Sequence, residues 1–275
     1  MRTSPLSVIA VVALLVLAGC VGLPNASENQ SSPDTPPDVS PNEFPNASEI
    51  GPSVFDTHAT EMGNTSFTLT FQQNRTDRSL PGREGDFSHM NDTSRTLVEP
   101  DASQYLEHTT GYFSGNGSTY SNGSAEYVLS RENDWTEVRE LSRVSVFNES
   151  GEYYLWNGWF NNDSDPGYDF AAINATYERE GVEWFQGVPV MRYEATGVDA
   201  LPDRWAGGEN ASSNFEEFSA TLLLDEDGVI RHYEYTFEKP PERRTRLKFS
   251  RAYTLSDVGS TDVEKPDWVA DAAGS

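Results

Sequence analysis

The chain has 275 residues, of which 44 are acidic and 19 basic, giving a formal net charge of −25. Phosphate binding needs concentrated positive charge, so this balance excludes nucleic acid as a partner. A single cysteine, Cys20, excludes a disulfide within the chain and every cysteine-cluster metal site.

Residues 1–19 read as a signal peptide. Arg2 precedes an apolar stretch from Leu6 to Ala18. An apolar core of roughly 7 to 15 residues is an export signal, whereas a membrane span needs about 20. No twin arginine precedes the stretch, which points to a Sec-type route. The stretch ends in Leu17-Ala18-Gly19-Cys20, where small residues give a peptidase access to the backbone before the cysteine. This motif resembles the lipobox of secreted lipoproteins. The resemblance implies that Cys20 becomes the lipid-bearing N-terminus and anchors the protein to the extracellular face of the cell membrane.

Residues 20–48 read as the lipidated cysteine and a disordered tether. Pro24, Pro33, Pro36, Pro37, Pro41 and Pro45 are mixed with Ser, Asn, Asp and Glu. Such a composition buries too little apolar surface to fold. Residues 49–275 read as one β-rich extracytoplasmic domain. Its first element is a helix, in which Ile50, Val54, His58 and Met62 recur every four residues beside Phe55. His58 on that stripe is expected to be a packed core histidine.

After Gly63-Asn64 the period changes to two. Phe67, Leu69 and Phe71 alternate with Thr68, Thr70 and Gln72, as in a half-buried strand. Strands are predicted at 65–75, 93–99, 104–113, 125–131, 135–147, 174–180, 188–197, 215–224, 229–238 and 244–254. Turn signals separate them, among them Gly115-Asn116-Gly117, Asn122-Gly123 and Asp225-Glu226-Asp227-Gly228. In the last hairpin, Tyr235 is expected opposite Leu247. That register sets Glu234 against Lys248 and Glu238 against Arg244, which argues against Arg243, Arg244, Arg246 and Lys248 as an anion-binding patch.

Twelve of the 17 asparagines lie in Asn-x-Ser/Thr sequons. Asn25, Asn29 and Asn46 fall before the domain. Asn64, Asn74, Asn91, Asn116, Asn122, Asn148, Asn162, Asn174 and Asn210 are candidate N-glycosylation sites in it. Residues 147–185 hold eleven aromatics in 39 positions. Trp156, Trp159, Phe160, Phe170, Trp184 and Phe185 are the candidates to line an apolar ligand cavity; plain core packing is the alternative. The four histidines show no zinc-ligand spacing, and no nucleophile elbow or phosphate loop occurs. The Asp225–Gly228 carboxylates lack the later glutamate of a calcium loop and read as a hairpin turn. Neither a catalytic site nor a cofactor or metal site is expected.

Three lysines against 16 arginines, a large acidic excess and one cysteine resemble a haloarchaeal protein that needs salt to screen its charge. The order of lipobox, acidic tether, helix and strands, the Ser219–Phe237 hairpin and the terminal Lys265-Pro266-Asp267-Trp268 resemble uncharacterised haloarchaeal lipoproteins with a LolA/LppX-like architecture. The resemblance implies a mainly β (α+β) fold. A curved antiparallel sheet or half-barrel, an N-terminal helix and few further helices would enclose an apolar cavity for a lipid or other hydrophobic ligand. The alternative is a non-catalytic surface or protein-interaction module with a solidly packed sheet. Cys20→Ser is expected to release the domain into the medium or leave an unprocessed precursor, as read by membrane fractionation. Unchanged processing with unchanged membrane attachment would contradict the lipobox.

Overall fold

The structure is a computed structural model that describes residues 38–79, 88–100, 104–112, 115–131, 135–140, 172–202, 215–242 and 245–273. Eleven strands form one open, curved antiparallel sheet. In chain order they are β1 (Phe67–Ser79), β2 (Ser88–Val98), β3 (Tyr105–Gly111), β4 (Gly117–Ser121), β5 (Ala125–Ser130), β6 (Trp135–Glu140), β7 (Glu178–Phe185), β8 (Val188–Thr196), β9 (Glu217–Leu224), β10 (Ile230–Glu242) and β11 (Thr245–Ser256). Their order across the sheet is β6-β5-β4-β3-β2-β1-β11-β10-β9-β8-β7. Two meanders therefore meet where β1 pairs with β11, and β6 and β7 stand at opposite edges of the described sheet; residues 141–147 of the strand expected at 135–147 lie outside the described residues.

Strand alternation sends one set of side chains to each face. The inner face carries Tyr233, Tyr235 and Phe237 of β10, Tyr253 and Leu255 of β11, Leu222 and Leu224 of β9, and Phe67 and Leu69 of β1, all buried. Aromatic contacts tie this face together, with Phe218 and Phe237 ring centres 4.9 Å apart and Phe215 and Phe237 at 4.4 Å. Helix α1 (Pro52–Met62) covers it. Pro52 presets the first helical turn, and Val54, Phe55, His58, Ala59 and Met62 form its buried stripe. The Phe55 ring meets Tyr233 edge-on at 5.6 Å.

In β2 to β5 an apolar cluster forms on the opposite, outer face. Leu97, Leu106, Tyr120 and Tyr127 pack there against Val263, Trp268 and Val269 of the C-terminal segment, which ends in the short helix α2 (Trp268–Ala273). Gly259 N–H donates to the Ser66 carbonyl, fastening that segment beside the start of β1.

The expected helix and most expected strands are present, with four differences. β4 lies between the expected strands at 104–113 and 125–131, flanked by the turn signals at Gly115–Gly117 and Asn122-Gly123, and lacks a clear apolar alternation; it pairs with both β3 and β5. The strand expected at 174–180 begins at Glu178 and runs on to Phe185. In the last hairpin Tyr235 lies opposite Arg251, and Leu247 opposite Lys239. β10 continues through Pro240 and Pro241 to Glu242, with a register shift between Lys239 and Glu242, so the pairing moves by four residues. Lys248 thus faces Glu238, and Glu234 faces Ala252.

The fourth difference is the start of the folded chain. Residues 38–48, read as tether, form 3-10 turns at Pro41–Glu43 and Ala47–Glu49 and bury Phe44 in the main core. Arg179 donates to the carbonyls of Pro41 and Phe44, and the Tyr193 hydroxyl donates to the Pro45 carbonyl at 2.6 Å. One aromatic and three carbonyl contacts hold a segment whose average composition looks unstructured. Phe44→Ala should lower stability by about 3–5 kcal/mol, as for a buried phenylalanine. Denaturant unfolding measures this, and a change below about 0.5 kcal/mol would return the segment to a surface tether.

Candidate functional site

The inner face under α1 is the apolar centre of the molecule. Its closest polar link is His58, which lies 4% exposed on the buried stripe of α1. The Ile230 N–H donates to His58 Nδ1 at 3.2 Å, so the ring is an acceptor there and is neutral with its proton on Nε2. Burial lowers its pKa to about 3, and the Arg231 guanidinium pushes the same way. His58 is thus the packed core histidine that its position suggested.

Beside His58 a cavity of about 10 Å³ is lined by Met62, Phe67, Leu69, Ile230, Tyr253 and Leu255. That is room for about one water molecule and far less than a lipid tail needs. Among the described residues, this gap beneath α1 therefore has no room for a ligand chain.

The six aromatic candidates separate. Trp156, Trp159, Phe160 and Phe170 lie outside the described residues. Trp184 and Phe185 are consecutive, half-buried residues of edge strand β7, so they point to opposite faces. The Phe185 ring stands 5.9 Å from His232. Cys20, Asn148, Asn162 and Asn210 also lie outside the described residues. Asn64, Asn74, Asn91, Asn116 and Asn122 are exposed, and Asn174 is half-buried. Asn74 and Asn91 are cross-strand partners on the outer face.

The Asp225–Gly228 carboxylates build a turn. Asp225 Oδ1 accepts from the Val229 and Asp227 N–H groups at 2.8 and 3.2 Å, and Oδ2 accepts from Arg231 Nε at 2.6 Å. Gly228 closes the turn at φ +82, where a side chain is strained. Among the described residues, no three His, Cys, Asp or Glu side chains converge as metal ligands.

Sequence reading missed one cluster. Tyr105, Glu107 and Glu126 share the inner face of β3 and β5. The Tyr105 hydroxyl donates to Glu126 Oε1. Burial raises the pKa of the Glu107 carboxyl, the Glu126 charge adds to this, and a hydrogen bond with Ser94 opposes it. The available signal was Glu107 sitting in step with Tyr105, on the same face of a strand.

The sequence profile described as "Family of unknown function (DUF7537)" matches residues 161–272. None of the curated proteins matches the sequence. Among solved structures, the lipoprotein LppX of Mycobacterium tuberculosis is similar at 9% identity. The match covers 78% of this chain and 99% of LppX, with a TM-score of 0.31. LprF from Mycobacterium bovis is similar at 11% identity over 78% of this chain and 95% of its own, with a TM-score of 0.32. The Pseudomonas aeruginosa MucA/MucB complex contributes a chain at 12% identity, covering 77% of this chain and 58% of its own at a TM-score of 0.31. At these identities and TM-scores none of them assigns a ligand to this chain. Among the described residues no helix is long and apolar enough to cross a membrane.

His58 makes stability depend on pH with a defined sign. Its pKa is about 3 in the folded chain against 6.5 for the free group, so below pH 6.5 the unfolded chain takes up a proton that the folded chain refuses. The contribution is complete above about pH 6.5 and is lost as pH falls toward about 3. His58→Asn keeps an acceptor at the δ position and does not titrate. Between pH 7.5 and pH 5 the wild type should lose about 2 kcal/mol more than this variant in urea unfolding. Equal losses would mean that His58 is not held neutral.

Proposed function

We propose that this chain is a surface lipoprotein, held to the extracellular face of the cell membrane by lipid on Cys20, whose sheet binds a hydrophobic molecule beneath α1. The observation that carries the ligand reading is the construction of the cover. One short helix, flanked by Gly51 and Gly63, lies over an inner face of buried aromatic and aliphatic side chains. No side chain caps its N-terminus, and a hydrogen bond from Ile230 to His58 links it to β10. Displacing α1 would open Phe67, Leu69, Ile230, Tyr253 and Leu255 to an apolar chain. Each buried CH₂ of such a ligand contributes about 0.8 kcal/mol, which supports micromolar binding after the costs of association. The exposed sequons Asn64, Asn74, Asn91, Asn116 and Asn122 suit a glycosylated, outward-facing domain.

The small size of the cavity beside His58 favours a second reading, a solidly packed interaction module without a ligand. Locking α1 separates the two. A Cβ at position 228 would lie 3.9 Å from Thr57 Cβ, within the usual disulfide range of about 3.5–4.5 Å. Thr57→Cys with Gly228→Cys, in a Cys20→Ser background, ties the helix to the turn between β9 and β10. Cysteine at a positive φ costs about 1–2 kcal/mol, so the reduced form of the same protein is the control. Tryptophan fluorescence titrated with a long-chain lipid analogue in high salt should saturate in the reduced form and fail in the oxidised form. Equal binding in both forms removes α1 as the cover. Absence of saturable binding in the wild type leaves the packed module.

A further inference from the structure

The inner face changes character between β1 and β2. One register row crosses the sheet as Leu255, Leu69, Thr96, Glu107, Thr119, Val128 and Glu137. It is aliphatic on β11 and β1, turns polar at Thr96, Glu107 and Thr119, has one apolar residue, Val128, before Glu137, and contains no basic residue. The neighbouring row runs Val98, Tyr105, Ser121, Glu126 and Arg139, so Glu126 has an arginine as its register partner and Glu107 does not.

Several acceptor groups gather around Glu107. Glu126 stands on the next strand but one, near enough for its charge to act on the Glu107 carboxyl. Ser94, 8% exposed, hydrogen-bonds to Glu107. Thr96 is directly opposite Glu107 in the ladder, on the same face. It is 1% exposed, and its Oγ1 has no hydrogen-bond partner among the described residues. A buried hydroxyl without a partner is unfavourable, and so is the charge of a half-buried carboxylate that faces a second acid. Both penalties fall on adjacent side chains that face the same space.

We propose that the inner face of β2–β5 binds a cationic group between Glu107 and Thr96. The group is either a free hard metal ion or the ammonium head of an amphiphile. Both present positive charge to an all-oxygen set of carboxylate and hydroxyl acceptors, the chemistry that hard cations prefer over nitrogen or sulfur ligands. The site lies outside the residues that line the α1 interface and does not depend on a hydrophobic ligand being bound there.

The test is thermal unfolding of the full chain at fixed ionic strength, titrated separately with calcium chloride and with octylammonium chloride. The wild type should show a saturable rise in Tm with at least one probe. Calcium alone identifies a free ion, and octylammonium alone identifies an amphiphile head. Glu107→Gln and Thr96→Val should each weaken that response at least tenfold. Without probe both variants should melt at or above the wild type, because Thr96→Val removes a buried hydroxyl without a partner and Glu107→Gln removes a charge that faces Glu126; a purely structural residue would lower it. Glu226→Gln, at an exposed turn position, should keep the wild-type response. The proposal is overturned if neither probe gives a saturable shift. It is also overturned if either inner-face variant responds as the wild type does, since the effect would then belong to the acidic surface at large.

Discussion

The pairing of β1 with β11 is the constraint on which the rest of the molecule depends. Twelve consecutive register partners, from Thr68 and Ser256 to Ser79 and Thr245, join two meanders into one sheet. Each meander is built from neighbours in sequence, but only this seam brings the two together. Phe67 and Leu69 on one side and Tyr253 and Leu255 on the other supply much of the surface on which α1 rests. The Gly259 to Ser66 hydrogen bond and the contact between the Thr68 and Thr261 hydroxyls, 3.1 Å apart, fasten the same seam at its end. The cover helix, the main core and the C-terminal segment all take their positions from it.

The two meanders bury apolar side chains differently, and the candidate sites follow from that. Around β9 to β11 and β1 the inner face is apolar and lies under α1. Across β2 to β5 an apolar cluster is outward, against Val263 and Val269. Hydrophobic residues on the outside of these strands leave the alternate positions for Thr96, Glu107, Thr119 and Glu126. The change of face thus allows one sheet to carry an aromatic surface and an oxygen-rich one side by side.

Much of this was legible in the residues because periodicity reports which face a side chain takes. The stripe of Val54, His58 and Met62 gave α1, and the alternation of Tyr233, Tyr235 and Phe237 gave β10 and its buried side. Periodicity says far less about partners. Placing Tyr235 opposite Leu247 or opposite Arg251 differs by four residues, an even number, so every side chain keeps its face and the pattern fits both. What decided between them was whether the chain turns at Pro240-Pro241 or continues through them, and it continues. β4 escaped notice because its contribution is backbone pairing between two neighbours, not an apolar stripe. Phe44 escaped because one anchoring ring disappears in the average of a proline-rich segment. Glu107 escaped because its alternation with Tyr105 shows only that the two share a face, and not that Glu126, two strands away, faces them as well. Cys20, Trp156 and Trp159 lie outside the described residues, and their roles stand as proposals.

The central seam also governs the order in which the molecule can form. Residues 67–79 must wait for residues 245–256, so more than half of the sequence separates the two halves of the middle pair. Closing so long a loop is entropically unfavourable, and non-local pairing of this kind folds slowly. A chain threaded through a membrane from its N-terminus exposes β1 early and β11 almost last. The local hairpins of either arm can zip as they emerge, but the two arms stay separate until the final strand has crossed. On the export route proposed above, completion of the sheet would coincide with completion of transport. A chain cut short before β11 would leave β1 as an exposed edge, open to pairing with other chains.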